Sequence, residues 1–244
     1  MNGFIDLHCH LLPALDDGPK LIEETLDMLR IAQTEGVTHI VATPHYAPQI
    51  PGFHAPWNDS VFRQVKAAAE RFGIRLHAGS EIRLDGQALD ALERGLCKPL
   101  GYGRHVLLEL PEQAVPARYH AWMTDFVAKG WVPVLAHAER LKALQENPHA
   151  MDEWLEDGCL LQVNAASLLG HWSDKTARTA RKLVRTNLCH AVATDAHSSG
   201  RRAPVVRDAY RKVEKWMGKA HAQSLFVTAP SHILGLPERN PSHA

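Results

Sequence analysis

Side chains that bind transition metals recur along this 244-residue chain in short segments of similar pattern. The first segment carries an HxH pair, and five further segments carry a histidine, a carboxylate or both. Imidazole with carboxylate ligation suits manganese, iron or zinc better than calcium or an oxygen-bound magnesium. The pattern therefore predicts a transition-metal site. The segments are FIDLHCH, VATPH, AGSEI, VLLEL, VLAHAER and VATDAH.

The number of candidate ligands exceeds what one ion can use, because one ion takes four to six of them. This inventory predicts two ions or three. A single histidine at a strand end is more often a packing residue, but the same pattern at six strands makes separate packing explanations poor. The candidates are His8, His10, His45, Glu81, Glu109, His137, Asp195 and His197.

Seven short β-type runs precede or contain these residues, and segments with helical spacing lie between them. Most runs are continuously apolar, as expected for parallel strands covered by helices. Glycines such as Gly36 and Gly158 stand between a helix-like segment and the next run, where a left-handed residue ends a helix. We predict one α/β barrel domain of seven or eight units, ahead of an open doubly wound sheet. The runs are Phe4–His8, Thr38–Thr43, Ile74–Gly79, His105–Leu110, Val132–Ala136, Leu160–Asn164 and His190–Thr194.

A parallel barrel explains how residues so far apart in sequence could form one site. All its strands open at their carboxyl ends on one face, where the active sites of such barrels are built. In the HxH pair, alternate residues of a strand point the same way, so both imidazoles can reach one ion.

Composition excludes several other classes of protein. The 27 basic and 27 acidic residues balance, and no basic block indicates nucleic-acid binding. The four cysteines are widely separated, which argues against a CxxC zinc or redox motif. A strand-like run from Phe4 leaves no room for a signal peptide, and no apolar run is long enough for a membrane span. We expect a soluble, cytoplasmic protein.

The motifs HCH, DDGP, TPH, GSEI, LLEL, AHAER and TDAH resemble the PHP (polymerase and histidinol phosphatase) superfamily. Within it, DLHCHLLPALDDGPK, PVLAHAERLKAL, the QVNA turn and the TDAH…GR close are similar to the CpsB/YwqE-type bacterial metal-dependent protein-tyrosine phosphatases. The resemblance covers about residues 4–236. It implies a distorted TIM-like (β/α)7 barrel over residues 1–236, and residues 237–244 are expected to form a flexible tail.

The resemblance also implies a trinuclear site, and for the two to three divalent ions predicted from the residues we expect manganese first, with iron or zinc as alternatives. It adds Asp16 to the ligands, although DDGP by itself suggests only a turn and helix cap. Arg140 and Arg201 are implied to bind phosphate, and Arg202 competes with Arg201 for that role because the preceding stretch is one residue short. The implied ligands are His8, His10, Asp16, His45, Glu81, Glu109, His137, Asp195 and His197.

The activity implied is hydrolysis of phosphotyrosine by a hydroxide that bridges two metals, with His45, His197 or a bound water protonating the leaving oxygen. The implied substrate is a phosphotyrosine protein, namely a bacterial tyrosine kinase that controls capsule or exopolysaccharide synthesis. Oligomeric state is not predicted.

Three alternatives remain open at this point. A histidinol-phosphate or other small-molecule phosphatase could use the same barrel. A metal-dependent amidohydrolase also begins with HxH, but its bridging lysine and its strand-six histidine are replaced here by Glu109 and Asn164. A scaffold that has lost its chemistry would be expected to lack ligands, and none of the nine is missing.

Overall fold

The computed structural model describes residues 3–51, 53 and 57–237 of the chain. All seven predicted runs form strands, with ends that agree to within one or two residues. Two very short strands, β3 and β5, were not predicted. The strands are β1 (Phe4–Cys9), β2 (Val37–Ala42), β3 (His45–Tyr46), β4 (Arg75–Ala78), β5 (Glu81–Arg83), β6 (His105–Glu109), β7 (Val132–Leu135), β8 (Leu160–Asn164) and β9 (Ala191–Ala193).

Helices separate most of the strands, so the chain has the alternating order of an α/β protein. A short 3-10 turn, Ala138–Arg140, follows β7, and a π-helical turn, Ser224–Thr228, precedes the last helix. The helices are α1 (Ile22–Glu35), α2 (Asp59–Glu70), α3 (Ala88–Glu93), α4 (Pro116–Ala128), α5 (Lys142–Glu146), α6 (Asp152–Glu156), α7 (Ala165–Leu169), α8 (Asp174–Arg185), α9 (Arg207–Met217), α10 (Lys219–Gln223) and α11 (Ala229–Ile233).

The strands are parallel, as predicted, and they form two sheets, while the predicted count of barrel units stays a prediction. One sheet has the order β1-β2-β4, and the other has the order β3-β5-β6-β7-β8-β9. Thr43 and Pro44 separate β2 from β3, and Gly79 and Ser80 separate β4 from β5. Pro44 has no amide hydrogen to donate, which limits ladder pairing at that point. The two breaks therefore pass the chain from one sheet to the other.

The first and last strands lie side by side. A parallel bridge joins Cys9 to Ala196, just beyond the end of β9. The amide of Asp195 donates to the carbonyl of His8 at 2.8 Å, and the amide of His10 donates to the carbonyl of Ala196 at 2.8 Å. The carboxyl ends of β1 and β9 are thus held together.

Apolar side chains on both faces of the strands hold the fold together. Val106 and Leu108 of β6 belong to a large buried cluster that also contains helix residues such as Phe126. The intervening Leu107 belongs to a second, smaller cluster, which the C-terminal Ile233 joins. Because successive residues of a strand point to opposite faces, both faces of β6 are buried, as parallel strands require.

Helix ends follow the predicted punctuation. The backbone of Gly36 has φ 86° at the end of α1, and that of Gly158 has φ 91° before β8, in the left-handed region that glycine tolerates. The four cysteines are free and buried. Within residues 3–51, 53 and 57–237, no helix has the length and apolar character to cross a membrane. The predicted flexible tail covers residues 237–244. All of these except Pro237 lie outside the described residues.

Candidate metal centre

The ends of the strands bring the predicted ligands together. His8 lies in β1 and Glu109 ends β6, whereas His45 begins β3 and Glu81 begins β5. His45 and Glu81 stand directly opposite each other in the β3–β5 pair. The strand breaks therefore serve the site, because each break places a ligand at the first residue of the new strand. His10, His137, Asp195 and His197 follow the ends of β1, β7 and β9.

Glu81 is the centre of this cluster, and its carboxylate is almost completely buried. Its Oε2 atom lies 3.1 Å from Nε2 of His8, Nε2 of His10 and Nδ1 of His45. Its Oε1 atom lies 2.8 Å from Nε2 of His137. One carboxylate thus faces four imidazoles, an arrangement that suits a carboxylate shared between ions.

Three groups of side chains could each hold an ion. Within each group, the ligand atoms all lie within 4.8 Å of one another. Seven of the nine predicted ligands belong to these groups, and His137 approaches both Glu81 and Glu109, the latter at 3.8 Å. Shared members connect the groups, so the ions that they could hold would be close neighbours. The groups are His8, His10, Glu81 and Asp195; His10, Asp17, His45 and His197; and His45, Glu81 and Glu109.

Asp16, the remaining predicted ligand, lies behind His10. Its buried carboxylate accepts hydrogen bonds from the amides of Gly18 and His45, both at 2.9 Å, and contacts His10 Nδ1 at 2.7 Å. The next residue, Asp17, faces the cluster instead, with Oδ1 3.1 Å from Nε2 of His197. Asp16 thus contacts His10 from behind, Asp17 is the carboxylate that faces the cluster, and the ligand role of Asp16 stays a prediction.

Two arginines reach the edge of the cluster. Nη2 of Arg140 lies 3.2 Å from Oδ2 of Asp195, and Nη2 of Arg202 lies 3.0 Å from Oδ1 of the same residue. Arg202 also approaches Asp17 at 3.7 Å. Arg201 is exposed and lines the adjacent cavity. Of the two competing arginines, Arg202 is therefore the one that contacts the cluster.

A polar pair on β8 supports the cluster and was not predicted as functional. Oε1 of Gln162 lies 3.1 Å from Nδ1 of His8, and its amide nitrogen donates to Asn164 at 2.8 Å. Asn164 in turn donates to Oδ2 of Asp195 at 2.7 Å. Such contacts fix the orientation of an imidazole and of a carboxylate. Two polar residues at alternate positions of the apolar run LLQVN are the sequence signal for this pair.

Backbone conformation also aims two of the predicted ligands. His137 has φ 33° and Asp195 has φ 54°, in the left-handed region that residues other than glycine seldom adopt. Such conformations cost free energy and cluster at functional sites. Near Asp195, the buried Asp6 accepts a hydrogen bond from the amide of Thr194 at 2.9 Å, which secures this turn.

Charges within the cluster shift its pKa values in opposite directions. Burial alone would raise the pKa of Glu81, but His8 and the other imidazoles hold it well below its usual range. Burial alone would lower the pKa of His10, but Asp16 and Glu81 outweigh burial and raise it. Burial lowers the pKa of His45 to about 4. The pKa of Glu109 is raised, by burial and by the nearby Glu81.

A family model and several known proteins match most of this chain. Residues 4–235 match the family model described as "Capsular polysaccharide synthesis, CpsB/CapC". A putative tyrosine-protein phosphatase, CapC of Staphylococcus aureus, is 32% identical over 202 residues, which cover 80% of this chain and 77% of CapC. The tyrosine-protein phosphatase YwqE of Bacillus subtilis is 32% identical over 227 residues, covering 88% of this chain and 85% of YwqE.

The fold agrees with a crystal structure from a study of YwqE of Bacillus subtilis and CpsB of Streptococcus pneumoniae, which are described as metal-dependent tyrosine phosphatases. The TM-score is 0.84 at 29% identity, and the match covers 96% of this chain and 95% of the other. The single-domain α/β fold with parallel strands is thus shared along nearly the whole length of both chains.

Proposed function

The chain belongs to the CpsB/CapC family of capsular polysaccharide synthesis proteins, and on that premise we propose that it is a metal-dependent protein-tyrosine phosphatase, a phosphoric monoester hydrolase. The observation that carries the proposal is the convergence of three groups of ligand atoms around Glu81, with two arginines beside them. Metal ligands and arginines together are what phosphoryl transfer requires.

The residues of the cluster fit divalent ions. Oε2 of Glu81 and Nε2 of His197 are buried and make no well-aligned hydrogen bond within the described part of the chain, although each lies 3.1 Å from an atom of another proposed ligand. An ion would supply the missing partner to both. The mixture of imidazole and carboxylate points to manganese, iron or zinc, and we propose two to three ions per chain. Bound ions would offer positive charge to a phosphate and lower the pKa of water.

We propose as ligands the members of the three groups, with His137 beside Glu81 and Glu109. Asp17 replaces Asp16 in this proposal, because both oxygens of Asp16 already contact Gly18, His10 and the amide of His45. The strand order supports a distorted barrel with seven strand positions. The strands β2 and β3 count as one position interrupted by a two-residue break, and so do β4 and β5.

The arginines would bind the substrate phosphate. Arg140 and Arg202 approach the two oxygens of Asp195 separately, so their guanidinium groups flank one point of the cluster. There they would neutralise the phosphate oxygens as charge spreads in the transition state. Arg201, which lines the same cavity as Arg202, would contribute to substrate binding from farther out.

A phenol leaves more readily than an aliphatic alcohol, because its pKa of about 10 makes the phenolate a stable anion. Weak general-acid assistance is therefore sufficient for phosphotyrosine. Water held by the ions is the proposed proton donor, because His45 and His197 are proposed as ligands and burial lowers the pKa of both imidazoles. Nε2 of His197 lies 3.1 Å from Asp17, and Nε2 of His45 lies 3.6 Å from the same carboxylate.

We propose that the physiological substrate is a phosphotyrosine protein, in particular a bacterial tyrosine kinase of capsule synthesis. The support for this partner is the family description and the activity named for the relatives. Histidinol phosphate is the alternative substrate on the same barrel, and no structural observation favours it.

The test combines metal analysis with turnover. Purified protein is loaded with manganese, iron or zinc in turn, and phosphate release is measured from a phosphotyrosine peptide, from the matched phosphoserine peptide and from histidinol phosphate. We expect two to three ions per chain, release that a chelator abolishes, and a strong preference for phosphotyrosine. Metal-loaded protein that hydrolyses only histidinol phosphate would refute phosphotyrosine as the substrate. Turnover that resists the chelator would refute the requirement for metal.

A further inference from the structure

Trp172 is a large aromatic side chain that remains 44% exposed beside the candidate metal centre. It lies in the segment 170–173, which joins α7 to α8. Gly170 ends α7 with φ 88°, and Ser173 caps α8 by accepting a hydrogen bond from the amide of Thr176 at 3.1 Å. Both ends of the segment are anchored, so its backbone is fixed although the core does not bury the ring.

The ring of Trp172 contacts both arginines of the site. The guanidinium carbon of Arg140 lies 3.8 Å from the ring centroid, and that of Arg202 lies 5.8 Å from it. Both distances fall within the range of cation–π attraction, which is strongest with tryptophan. One aromatic side chain therefore bridges the two cations that approach Asp195.

Few other contacts orient the guanidinium of Arg140, whose side chain is only 13% exposed. Neither Nε nor Nη2 of Arg140 makes a well-aligned hydrogen bond among the residues described, although Nη2 forms the ion pair with Oδ2 of Asp195 at 3.2 Å. Oδ2 of Asp195 also accepts a hydrogen bond from Asn164 at 2.7 Å, so Arg140 shares this oxygen. Buried donors without acceptors cost free energy, and an anion placed there would recover it. The aromatic face thus holds a guanidinium whose donors remain available.

Two cavities meet at Trp172. One, of about 420 Å³, is lined by Arg140, and the other, of about 480 Å³, is lined by Arg201 and Arg202. Of the residues lining them, Trp172 belongs to both. The ring therefore stands between the approaches to the two sets of guanidinium groups.

Resting on the phosphatase function proposed above, we propose that Trp172 is a positioning residue for phosphate recognition. Its indole face holds the guanidinium of Arg140 flat, and the same ring attracts the guanidinium of Arg202. The donors of both arginines would then point to the substrate phosphate. The reaction needs no chemistry from the ring itself. Phenylalanine can supply a smaller aromatic face at this position, whereas alanine and leucine cannot supply one.

The experiment measures binding of inorganic phosphate to the metal-loaded protein by calorimetry. Trp172→Ala, Trp172→Leu and Trp172→Phe are compared with Trp122→Ala, a matched control for a partly exposed tryptophan, 36% exposed on α4. Trp172→Ala and Trp172→Leu should weaken phosphate binding about 5- to 30-fold, the range expected for loss of a partly desolvated cation–π contact. Trp172→Phe should stay within about 3-fold of wild type by the same scale, Trp122→Ala should match wild type, and metal content should not change.

A double-mutant cycle with Arg140 separates positioning from a general structural effect. If the ring acts through Arg140, Trp172→Ala should add little in an Arg140→Ala background, because coupled residues are not additive. Equal weakening in both backgrounds, unchanged binding in Trp172→Ala, or equal loss in Trp172→Phe and Trp172→Ala would overturn the proposal.

Turnover of a phosphotyrosine peptide, measured on the same proteins, distinguishes the two proposals. Wild type that binds phosphate in a Trp172-dependent way but does not hydrolyse the peptide would refute the phosphatase substrate and leave the role of Trp172 intact. Wild type that hydrolyses the peptide with no loss of phosphate binding or kcat/KM in Trp172→Ala would refute only the role of Trp172.

Discussion

The neighbouring carboxylates Asp16 and Asp17 should respond in opposite ways to the same substitution. Asp16 is buried and accepts from the amides of Gly18 and His45, besides contacting His10. The side chain of Asp17 is 43% exposed and faces His197. We expect Asp16→Asn to lower the stability of the folded chain, and Asp17→Asn to lower its metal content.

The expected size of the first effect follows from the hydrogen bonds of Asp16. An asparagine amide placed at Oδ2 would turn its own donors toward the His45 amide and His10 Nδ1, so two contacts would be lost. Hydrogen bonds to a charged group contribute about 1.5–3 kcal/mol each, so at the lower end of that range the two lost contacts cost about 3 kcal/mol, while the bond to Gly18 is retained. For a chain of this size that corresponds to a decrease in Tm of roughly 6–12 °C.

Asp17 should behave differently because its pairs are partly exposed. Such ion pairs contribute about 0–1 kcal/mol, so Asp17→Asn should shift the Tm of the chelated protein by less than about 4 °C. After metal loading, we expect Asp17→Asn to bind fewer ions than wild type and to lose most of its phosphotyrosine turnover.

The assay is thermal unfolding of the chelated proteins at pH 7, followed by metal analysis and turnover of the loaded ones. Nearby positive charge and hydrogen bonds outweigh burial and lower the pKa of Asp16. Its contribution to the free energy of unfolding is therefore present above the ordinary aspartate pKa of about 3.9 and is lost as the pH falls below it. Equal Tm shifts in the two variants, or normal stability with a missing ion in Asp16→Asn, would refute the reasoning.

Three further predictions concern other residues. Glu81→Gln removes the charge shared by two ligand groups, so metal content should fall to one ion or none and turnover should be lost; a variant that keeps all its ions would contradict this. Arg140→Ala should retain the ions yet lower kcat by about 10²–10³, and a parallel loss of metal would argue against a phosphate-binding role. Burial and the neighbouring His39 lower the pKa of His77 to about 4, so the unfolded chain takes up this proton first and stability falls as the pH drops from about 6.5 toward 4. His77→Phe should make that decrease shallower, as measured by urea unfolding at pH 7 and pH 5; an identical slope would show that His77 does not contribute.

The sequence predicted the strands well because buried parallel strands are continuous apolar runs bounded by glycine or polar residues. The run His105–Leu110, for example, forms the strand His105–Glu109. The two breaks were not predicted, because β3 has only two residues and β5 only three. Periodicity needs at least four residues to indicate a strand. Pairing with distant residues, which local sequence does not encode, defines these two strands.

At two places in the site, adjacent residues of the same type compete for one position, and the same physical feature decides between them. Asp16 and Asp17, like Arg201 and Arg202, are neighbours in a turn, where successive side chains diverge. Residue type predicts an aspartate and an arginine at the cluster, but the backbone conformation of the turn decides which neighbour faces it. On regular strands such as β1, where alternation sets the direction, the predicted His8 does reach the cluster.

The contact between β1 and β9 has a consequence for how the protein is made. The hydrogen bond from Thr194 to Asp6 spans 188 positions, and closing so long a segment is entropically costly and slow. Translation must pass residue 197 before Asp195 and His197 can join His8 and His10. Ions that bind only the closed fold would stabilise finished molecules and leave truncated ones unprotected. Metal occupancy would then report on the completeness of synthesis, and fragments that end before β9 would be preferred targets for proteolysis.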